Sequence, residues 1–185
     1  MQIRRKNKII NRTYLALGSN LKNPLHQIFS ALQNLSDIAD SYITDISRLY
    51  YTPPYGPVYQ PDFLNAVVAM DTHLHPEDFL NQTQSIEKKQ GRLRQSYCWG
   101  PRTLDVDIML WGNQTIKTSR LIVPHHDMHN RAFMLIPLLD IAPSLFLPNG
   151  KNIFEILNSL DKSVVNSIIA SSFDLKKEFF LLNNY

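Results

Sequence analysis

Residues 99–112 have the sequence WGPRTLDVDIMLWG, in which apolar side chains alternate with Asp105 and Asp107. An alternation of period two is typical of a β-strand, and side chains two residues apart leave a strand on the same face. The two aspartates should therefore lie side by side, roughly 6.6 Å apart at the backbone. Neighbouring carboxylates repel each other, so the pattern indicates either a solvated edge strand or a site where both aspartates bind a cation.

Oxygen ligands on one short span suit Mg²⁺, which usually binds one or two carboxylates together with phosphate oxygens. Arginines at 92, 94 and 102 flank the strand. Fixed positive charges beside a metal–carboxylate pair are what phosphoryl transfer needs. We therefore predict a metal and polyphosphate site with Asp105 and Asp107 as metal ligands, and with Arg92 and Arg102 as further catalytic residues.

The composition is that of a globular chain of one domain, with 185 residues, 44% hydrophobic and 19% charged. A single cysteine excludes an internal disulfide and favours a reducing compartment. No apolar run is long enough to span a bilayer, and the basic N-terminus lacks the apolar core of a secretory signal. The sequence therefore predicts a cytoplasmic protein that does not bind membranes.

The positive charge is concentrated at the N-terminus, where residues 1–12 hold five basic and no acidic side chains. The remaining 14 basic residues face 16 acidic ones, which gives residues 13–185 a net charge of −2. A body of this charge is not typical of a nucleic-acid-binding protein. We expect residues 1–12 to be a basic extension.

The hydrophobic pattern predicts strands and helices in the order β-α-β-β-α-β, which is that of a ferredoxin-like α+β sheet. Strands are expected at 13–18, 42–51, 62–72 and around the two aspartates; helices are expected from Asn23-Pro24 and from Pro76 to about Gln95. In this arrangement helices pack on one face and leave the other open for a ligand. A third helix is expected from Phe133 to about Ile141, followed by one or two C-terminal helices within 151–185.

Two other features suit a ligand site. Asn65 is an amide on an otherwise apolar strand, so it either satisfies nearby backbone or recognises a flat heterocycle. His125, His126 and His129 suggest zinc at first, but no Glu or Cys completes a metal set, and His125 beside Arg131 suits a phosphate partner better. Glycine-rich phosphate loops are absent, so polyphosphate binding would depend on metal, arginines and histidine.

Six stretches closely resemble the 6-hydroxymethyl-7,8-dihydropterin pyrophosphokinase family: GSN at 18–20, TPPYGP at 52–57, DFLNAV at 62–67, GRLR at 91–94, WGPRTLDVDIMLWG at 99–112 and VPHHDMHNRAFML at 123–135. The resemblance implies transfer of the β,γ-diphosphate of ATP to the hydroxymethyl group of the pterin, with release of AMP, in folate biosynthesis. It implies a ferredoxin-like fold, two Mg²⁺ ions on Asp105 and Asp107, and a monomer. It covers a domain of residues 13–165, with 166–185 as a C-terminal extension.

Carried over position by position, the resemblance also implies two sets of binding residues. The pterin would contact Thr52, Pro53, Tyr55, Phe63, Asn65, Trp99 and Phe133. ATP would contact Gln84, Glu87, Arg92, Arg94, Arg102, Ile108, Arg120, His125 and Arg131. Departures from the family pattern at Gln95, Cys98, Ile122 and His126 remove charges or hydroxyls near the triphosphate and bear on the affinity for ATP.

Other function classes fit the residues less well. Aspartates spaced in this way also bind metal-bound nucleotide sugars in glycosyltransferases, but those enzymes are generally longer. A non-enzymatic ferredoxin-like domain that binds a small molecule or RNA is the other alternative, and the net charge of −2 argues against RNA.

Overall fold

The computed structural model describes residues 9–54, 59–92 and 100–183. The strands are β1 (Asn11–Ser19), β2 (Ser41–Ile46), β3 (Tyr50–Thr52), β4 (Phe63–Thr72), β5 (Asp105–Trp111), β6 (Ile116–Lys117), β7 (Ile122–Val123) and β8 (Ile169–Ala170). The helices are α1 (Pro24–Ser36), α2 (Pro76–Lys89), α3 (Ala132–Ile141), α4 (Ile153–Ser159), α5 (Lys162–Asn166) and α6 (Leu175–Asn183), and a short 3₁₀ helix spans Met128–Asn130. A mixed fold of helices and sheet is thus confirmed.

The main sheet is antiparallel, with strands in the order β5-β1-β4-β3-β8 and with β2 also paired to β4. Strand β1 lies inside the sheet, between β4 and β5. Gly18 is opposite Asn65 on one side and Asp105 on the other, and Ala16 is opposite Asp107. Directly opposed residues present their side chains to the same face, so Gly18 lies between Asp105 and Asn65, and Ala16 lies between Asp107 and Val67.

One face of the sheet packs against α1 and α2. Helix α1 begins where the sequence predicts: Asn23 is the N-cap, its side chain accepts a hydrogen bond from the backbone N–H of His26, and Pro24 is the first helical residue. The core on this face consists of buried apolar side chains from both layers. They include Leu15, Leu17, Ile28, Leu32, Leu35, Val68, Met70, Phe79, Ile86, Val106 and Ile108.

Helices also cover much of the second face, which was predicted to stay open. Met134, Leu135 and Leu138 of α3 join a core with Val67 and Met109 of the sheet, and α4 packs against α3. Helix α3 is apolar almost throughout, so it needs burial on more than one side. The open-face prediction therefore holds only for the end of the sheet that carries the two aspartates.

Two boundaries differ from prediction. The single strand expected at 42–51 is two strands, because Ser47 leaves the regular ladder and bonds to both backbone groups of Val67 instead. Helix α2 ends at Lys89 rather than near Gln95, because Gly91 adopts a left-handed conformation (φ +80°) that closes the helix.

The C-terminal segment contributes to the main core. Leu175 and Phe179 of α6 are buried, and the ring of Phe179 meets that of Phe29 on α1 edge to face, 6.2 Å between centroids. Strand β8 extends the sheet beside β3. Residues 151–183 thus form three helices and a strand, where one or two helices were predicted; the predicted domain limits stay a prediction.

Within the described residues, none of the helices has the length and apolar character needed to cross a membrane.

Candidate active site

Asp105 and Asp107 project from the same face of β5, as the alternation predicts, and line one cleft. Opposite them on β1 are Gly18 and Ala16, whose small side chains leave space above the sheet. The carboxylates therefore face open volume.

Two guanidinium groups bind Asp105. Arg92 Nη1 lies 2.5 Å from Oδ1, and Arg102 Nη1 donates to Oδ2. Arg92 Nη1 also donates to Oε1 of Glu87. Arg131 is farther from its acid, with Nη1 4.0 Å from Oδ2 of Asp107. Arg92, Arg102 and Arg131 thus all lie within ion-pair distance of a cleft carboxylate.

The end of α2 positions Arg92. The backbone N–H of Arg92 donates to the carbonyl of Glu87, and that of Gly91 donates to Lys88, which together form a Schellman motif. This turn brings the Arg92 side chain back over Glu87. Glu87 in turn accepts a hydrogen bond from the backbone N–H of Val106, at 2.8 Å, so one buried carboxylate connects α2 with β5.

Burial raises the pKa of Glu87 and of Asp107 above the ordinary carboxylate range, and in each case the charge of Asp105 adds to the effect while Arg92 opposes it. The Oδ1 atom of Asp105 is buried and, despite its ion pair with Arg92, has no hydrogen bond of regular geometry to a described residue. A pair of crowded carboxylates is a donor set that a divalent cation fits.

The first cleft contains most of the residues expected to bind the pterin. Asn65 Nδ2 donates to Oγ1 of Thr52 at 2.6 Å, and the rings of Phe63 and Phe133 lie in the same cleft. A guanidinium carbon lies near the face of each ring: that of Arg102 is 5.8 Å from the centroid of Phe63, and that of Arg131 is 5.7 Å from the centroid of Phe133. The cleft is lined by Ala16, Leu17, Gly18, Thr52, Pro53, Phe63, Asn65, Arg102, Asp105, Asp107, Arg131, Phe133 and Met134.

The second cleft contains most of the residues expected to bind ATP. It is lined by Leu80, Gln84, Glu87, Arg92, Val106, Asp107, Ile108, Thr118, Ser119, Arg120, Leu121, Ile122, His125 and His126. The guanidinium of Arg120 donates to Asn81 at 2.7 Å and pairs with Glu77 at 3.2 Å, which holds the β6–β7 hairpin against α2. Asp107 lines both clefts, so they meet at this carboxylate.

His125 is neutral at physiological pH. Burial lowers its pKa to about 4, and electrostatic repulsion from Arg131 and His126 adds to the effect. Its Nδ1 accepts a hydrogen bond from the backbone N–H of Asp127 at 3.3 Å, which leaves the proton on Nε2. His125 can therefore offer an uncharged N–H donor to a ligand in the second cleft.

Residues 14–143 match the sequence model of the family described as 7,8-dihydro-6-hydroxymethylpterin-pyrophosphokinase (HPPK). The chain belongs to the HPPK family. Two curated relatives are named 2-amino-4-hydroxy-6-hydroxymethyldihydropteridine pyrophosphokinase. That of Haemophilus influenzae is 46% identical over 144 residues, which is 78% of this chain and 89% of the relative. That of Pseudomonas aeruginosa is 48% identical over 149 residues, 80% of this chain and 91% of the relative.

Solved structures resemble the fold at lower sequence identity. A crystal structure of an HPPK-DHPS in complex with substrates has a TM-score of 0.64 and 17% identity, over 80% of this chain and 43% of that chain. The wild-type HPPK-DHPS of Plasmodium falciparum with pteroate has a TM-score of 0.65 and 16% identity, over 83% of this chain and 43% of that chain. At these identities the likeness concerns the fold alone.

Five of the residues expected from the HPPK resemblance are not in the described lining of the cleft that contains the rest of their set. Arg102 and Arg131, expected on ATP, line the first cleft rather than the second. Tyr55, Arg94 and Trp99 lie outside the described residues.

One buried residue of the site was missed. Asn20 donates through Nδ2 to Gln60 Oε1 and to the carbonyl of Pro61, both at 3.0 Å, and its Oδ1 accepts from the backbone N–H of Arg102 at 2.8 Å. It therefore ties together the end of β1, the segment before β4 and the segment before β5. The GSN motif at 18–20 contains the signal, but by itself it predicts only a turn.

Proposed function

We propose that this chain transfers the β,γ-diphosphate of ATP to the hydroxymethyl group of 6-hydroxymethyl-7,8-dihydropterin, giving AMP and the pterin diphosphate, in folate biosynthesis. The observation that carries the proposal is the meeting of two clefts at Asp107, with Asp105 beside it. One cleft has aromatic rings and an amide for a flat heterocycle, and the other has a cationic and histidine lining for a nucleotide.

The reaction requires the two substrates to be aligned. The hydroxymethyl oxygen attacks the β-phosphorus, the bond from that phosphorus to the oxygen shared with the α-phosphorus breaks, AMP leaves, and the hydroxyl proton passes to solvent. Bringing the two reacting atoms together accounts for much of such an acceleration, which fits a site that lies between two clefts. We assign no general base, since no described side chain stands out for that role.

The pterin binds in the first cleft, where Phe63 and Phe133 provide ring faces and Asn65, fixed by Thr52, provides a donor and an acceptor. Pro53 lines the same cleft, and Tyr55 and Trp99 complete the proposed set.

The nucleotide binds in the second cleft, along Gln84, Ile108, Arg120 and His125, with Glu87 placing Arg92. Arg94 completes the proposed set. Arg92 and Arg102 contact opposite oxygens of Asp105, so both are placed to neutralise the charge of the diphosphate during transfer. Arg131 lies beside Asp107 and Phe133, at the end of the site where the pterin binds.

Asp105 and Asp107 would hold two Mg²⁺ ions, which when bound supply Lewis-acid stabilisation of the triphosphate oxygens. The placement of both carboxylates on one face of β5, in one cleft, supports a bound divalent cation. We further propose the ferredoxin-like arrangement, supported by the strand order and by helices after β1 and β4, and a monomer in the cytoplasm that binds no nucleic acid.

The test is to mix the protein with Mg²⁺, the reduced hydroxymethylpterin and ATP that carries its label on the β-phosphate. Label on the pterin together with free AMP is expected. Label that stays in ADP would indicate an ordinary kinase, and no turnover would favour a binding protein; either result contradicts the proposal. Asp105→Asn should be inactive, whereas Asp71→Asn, at the far end of β4, should match the wild type.

A further inference from the structure

Gly18 lies on β1 directly between Asn65 and Asp105, with a backbone outside the left-handed region, so the conformation suits any residue. Glycine within a strand normally makes the folded protein less stable than alanine would, because glycine loses more backbone entropy on folding and has no side chain to pack. A glycine here therefore needs a local reason.

The reason is the side chain of Asn65. A Cβ on residue 18 would lie 2.8 Å from Oδ1 of Asn65, whereas the next atoms, Cγ of Asn65 and Cδ1 of Phe63, are at an ordinary 3.9 Å. Because residue 18 has no methyl group, Oδ1 of Asn65 can lie close to the backbone of β1. Among the described residues, no other contact of a methyl group at residue 18 would be tight.

The side chain of Asn65 cannot easily move away from residue 18, because its amide nitrogen is held by a hydrogen bond. Its Nδ2 donates to Thr52 Oγ1 at 2.6 Å, and the residue is only 6% exposed. The amide therefore spans from β3 to β1 with nitrogen toward Thr52 and oxygen toward Gly18. A methyl group at residue 18 would force the amide to move away from β1 and so to lengthen or break its hydrogen bond with Thr52.

We propose that Gly18 is a specificity-determining residue that acts through Asn65, by allowing the position from which the amide faces the pterin. The inference depends on the proposed pterin cleft. An amide of fixed orientation selects a heterocycle edge with complementary donors and acceptors and rejects one with the order changed. Gly18 is thus a positioning residue and contacts no reacting atom.

The test measures pterin binding by fluorescence for the wild type, Gly18→Ala, Asn65→Ala and the double variant, with 6-hydroxymethylpterin and the corresponding lumazine as probes. We expect Gly18→Ala to weaken pterin binding by about tenfold or more, and to reduce discrimination against the lumazine by a similar factor. The KM for ATP and the kcat at saturating pterin should stay within about threefold of the wild type.

In the Asn65→Ala background the added methyl group should cost no further pterin affinity, because the clashing oxygen is gone. Unchanged pterin affinity in Gly18→Ala, or an equal loss in both backgrounds, would overturn the proposal. If Gly18→Ala does not fold while the double variant does, the clash with Asn65 is supported; if neither folds, the backbone itself needs glycine and the proposal is wrong. A wild type that fails to bind pterin would instead overturn the proposed function.

Discussion

Arg92 contacts Asp105, with Nη1 2.5 Å from Oδ1, and through the same nitrogen it contacts Glu87. A guanidinium group thus neutralises the carboxylate that is proposed to bind metal. Because Arg102 holds the other oxygen of Asp105, a metal ion can reach this carboxylate only if one arginine moves away. The triphosphate offers such an arginine a new anionic partner, so metal and nucleotide binding should be coupled.

Arg92→Ala should lower kcat by about 10²-fold or more, with pterin affinity within about threefold, because the lost charge acts on the transferred diphosphate. It should also lower the melting temperature, since Glu87 keeps its burial but loses its counter-charge. Steady-state AMP release and thermal unfolding measure the two effects. Arg12→Ala, which removes the exposed ion pair with Asp71, is the matched control. An Arg92→Ala enzyme with full turnover would contradict the role.

Replacing either cleft aspartate should nearly abolish turnover. We expect Asp105→Ala and Asp107→Ala to lower kcat by about 10³-fold or more, because charge stabilisation by a metal contributes several kcal/mol to such a step. Pterin binding, followed by its fluorescence, should survive in both variants. Undiminished AMP production by Asp105→Ala would end the metal-site proposal.

His125 should give the protein an acid-sensitive stability. Its folded pKa of about 4 is below the ordinary value of 6.5, so folding favours the neutral ring. The resulting stabilisation is present above about pH 6.5 and is lost as the pH falls through 4. Urea unfolding of the wild type and His125→Asn at several pH values measures this. The stability difference between the two proteins should shrink on acidification, and parallel curves would refute the assignment.

Helix α6 should contribute strongly to stability. Phe179→Ala removes a ring that is 2% exposed and packs edge to face on Phe29, so it should cost about 3 kcal/mol or more. Leu182→Ala on the same helix is the control, because that side chain is 63% exposed and its loss should change stability by no more than about 0.5 kcal/mol. Chemical unfolding of both variants provides the comparison; equal stability of the two would mean that α6 is only loosely attached.

Features that depend on residues close together in the sequence could be predicted from the sequence. The common face of Asp105 and Asp107 follows from strand periodicity, and the start of α1 follows from Asn23-Pro24. The end of α2 also has a local cause, which is Gly91. Because polar residues continue beyond this glycine, the pattern predicted a helix that was several residues too long.

Features that depend on distant partners were not predictable from one sequence. The three bonds of Asn20 reach residues 40 to 82 positions away, so nothing adjacent to it reveals them. Helix α3 is apolar all round, so its sequence predicts burial but not which layer buries it. Asn65 is intermediate: its polarity marked it as unusual, but only the fold shows that Thr52 and Gly18 fix its orientation.

The burial of Phe179 against α1 has a consequence for synthesis on the ribosome. The apolar layer beneath the first helix is incomplete until residue 179 has left the exit tunnel, although the aspartate strand emerges some 70 residues earlier. In a nascent chain, Leu32 and Leu35 therefore stay partly uncovered until α6 has emerged. During this time chaperones have an apolar surface to bind.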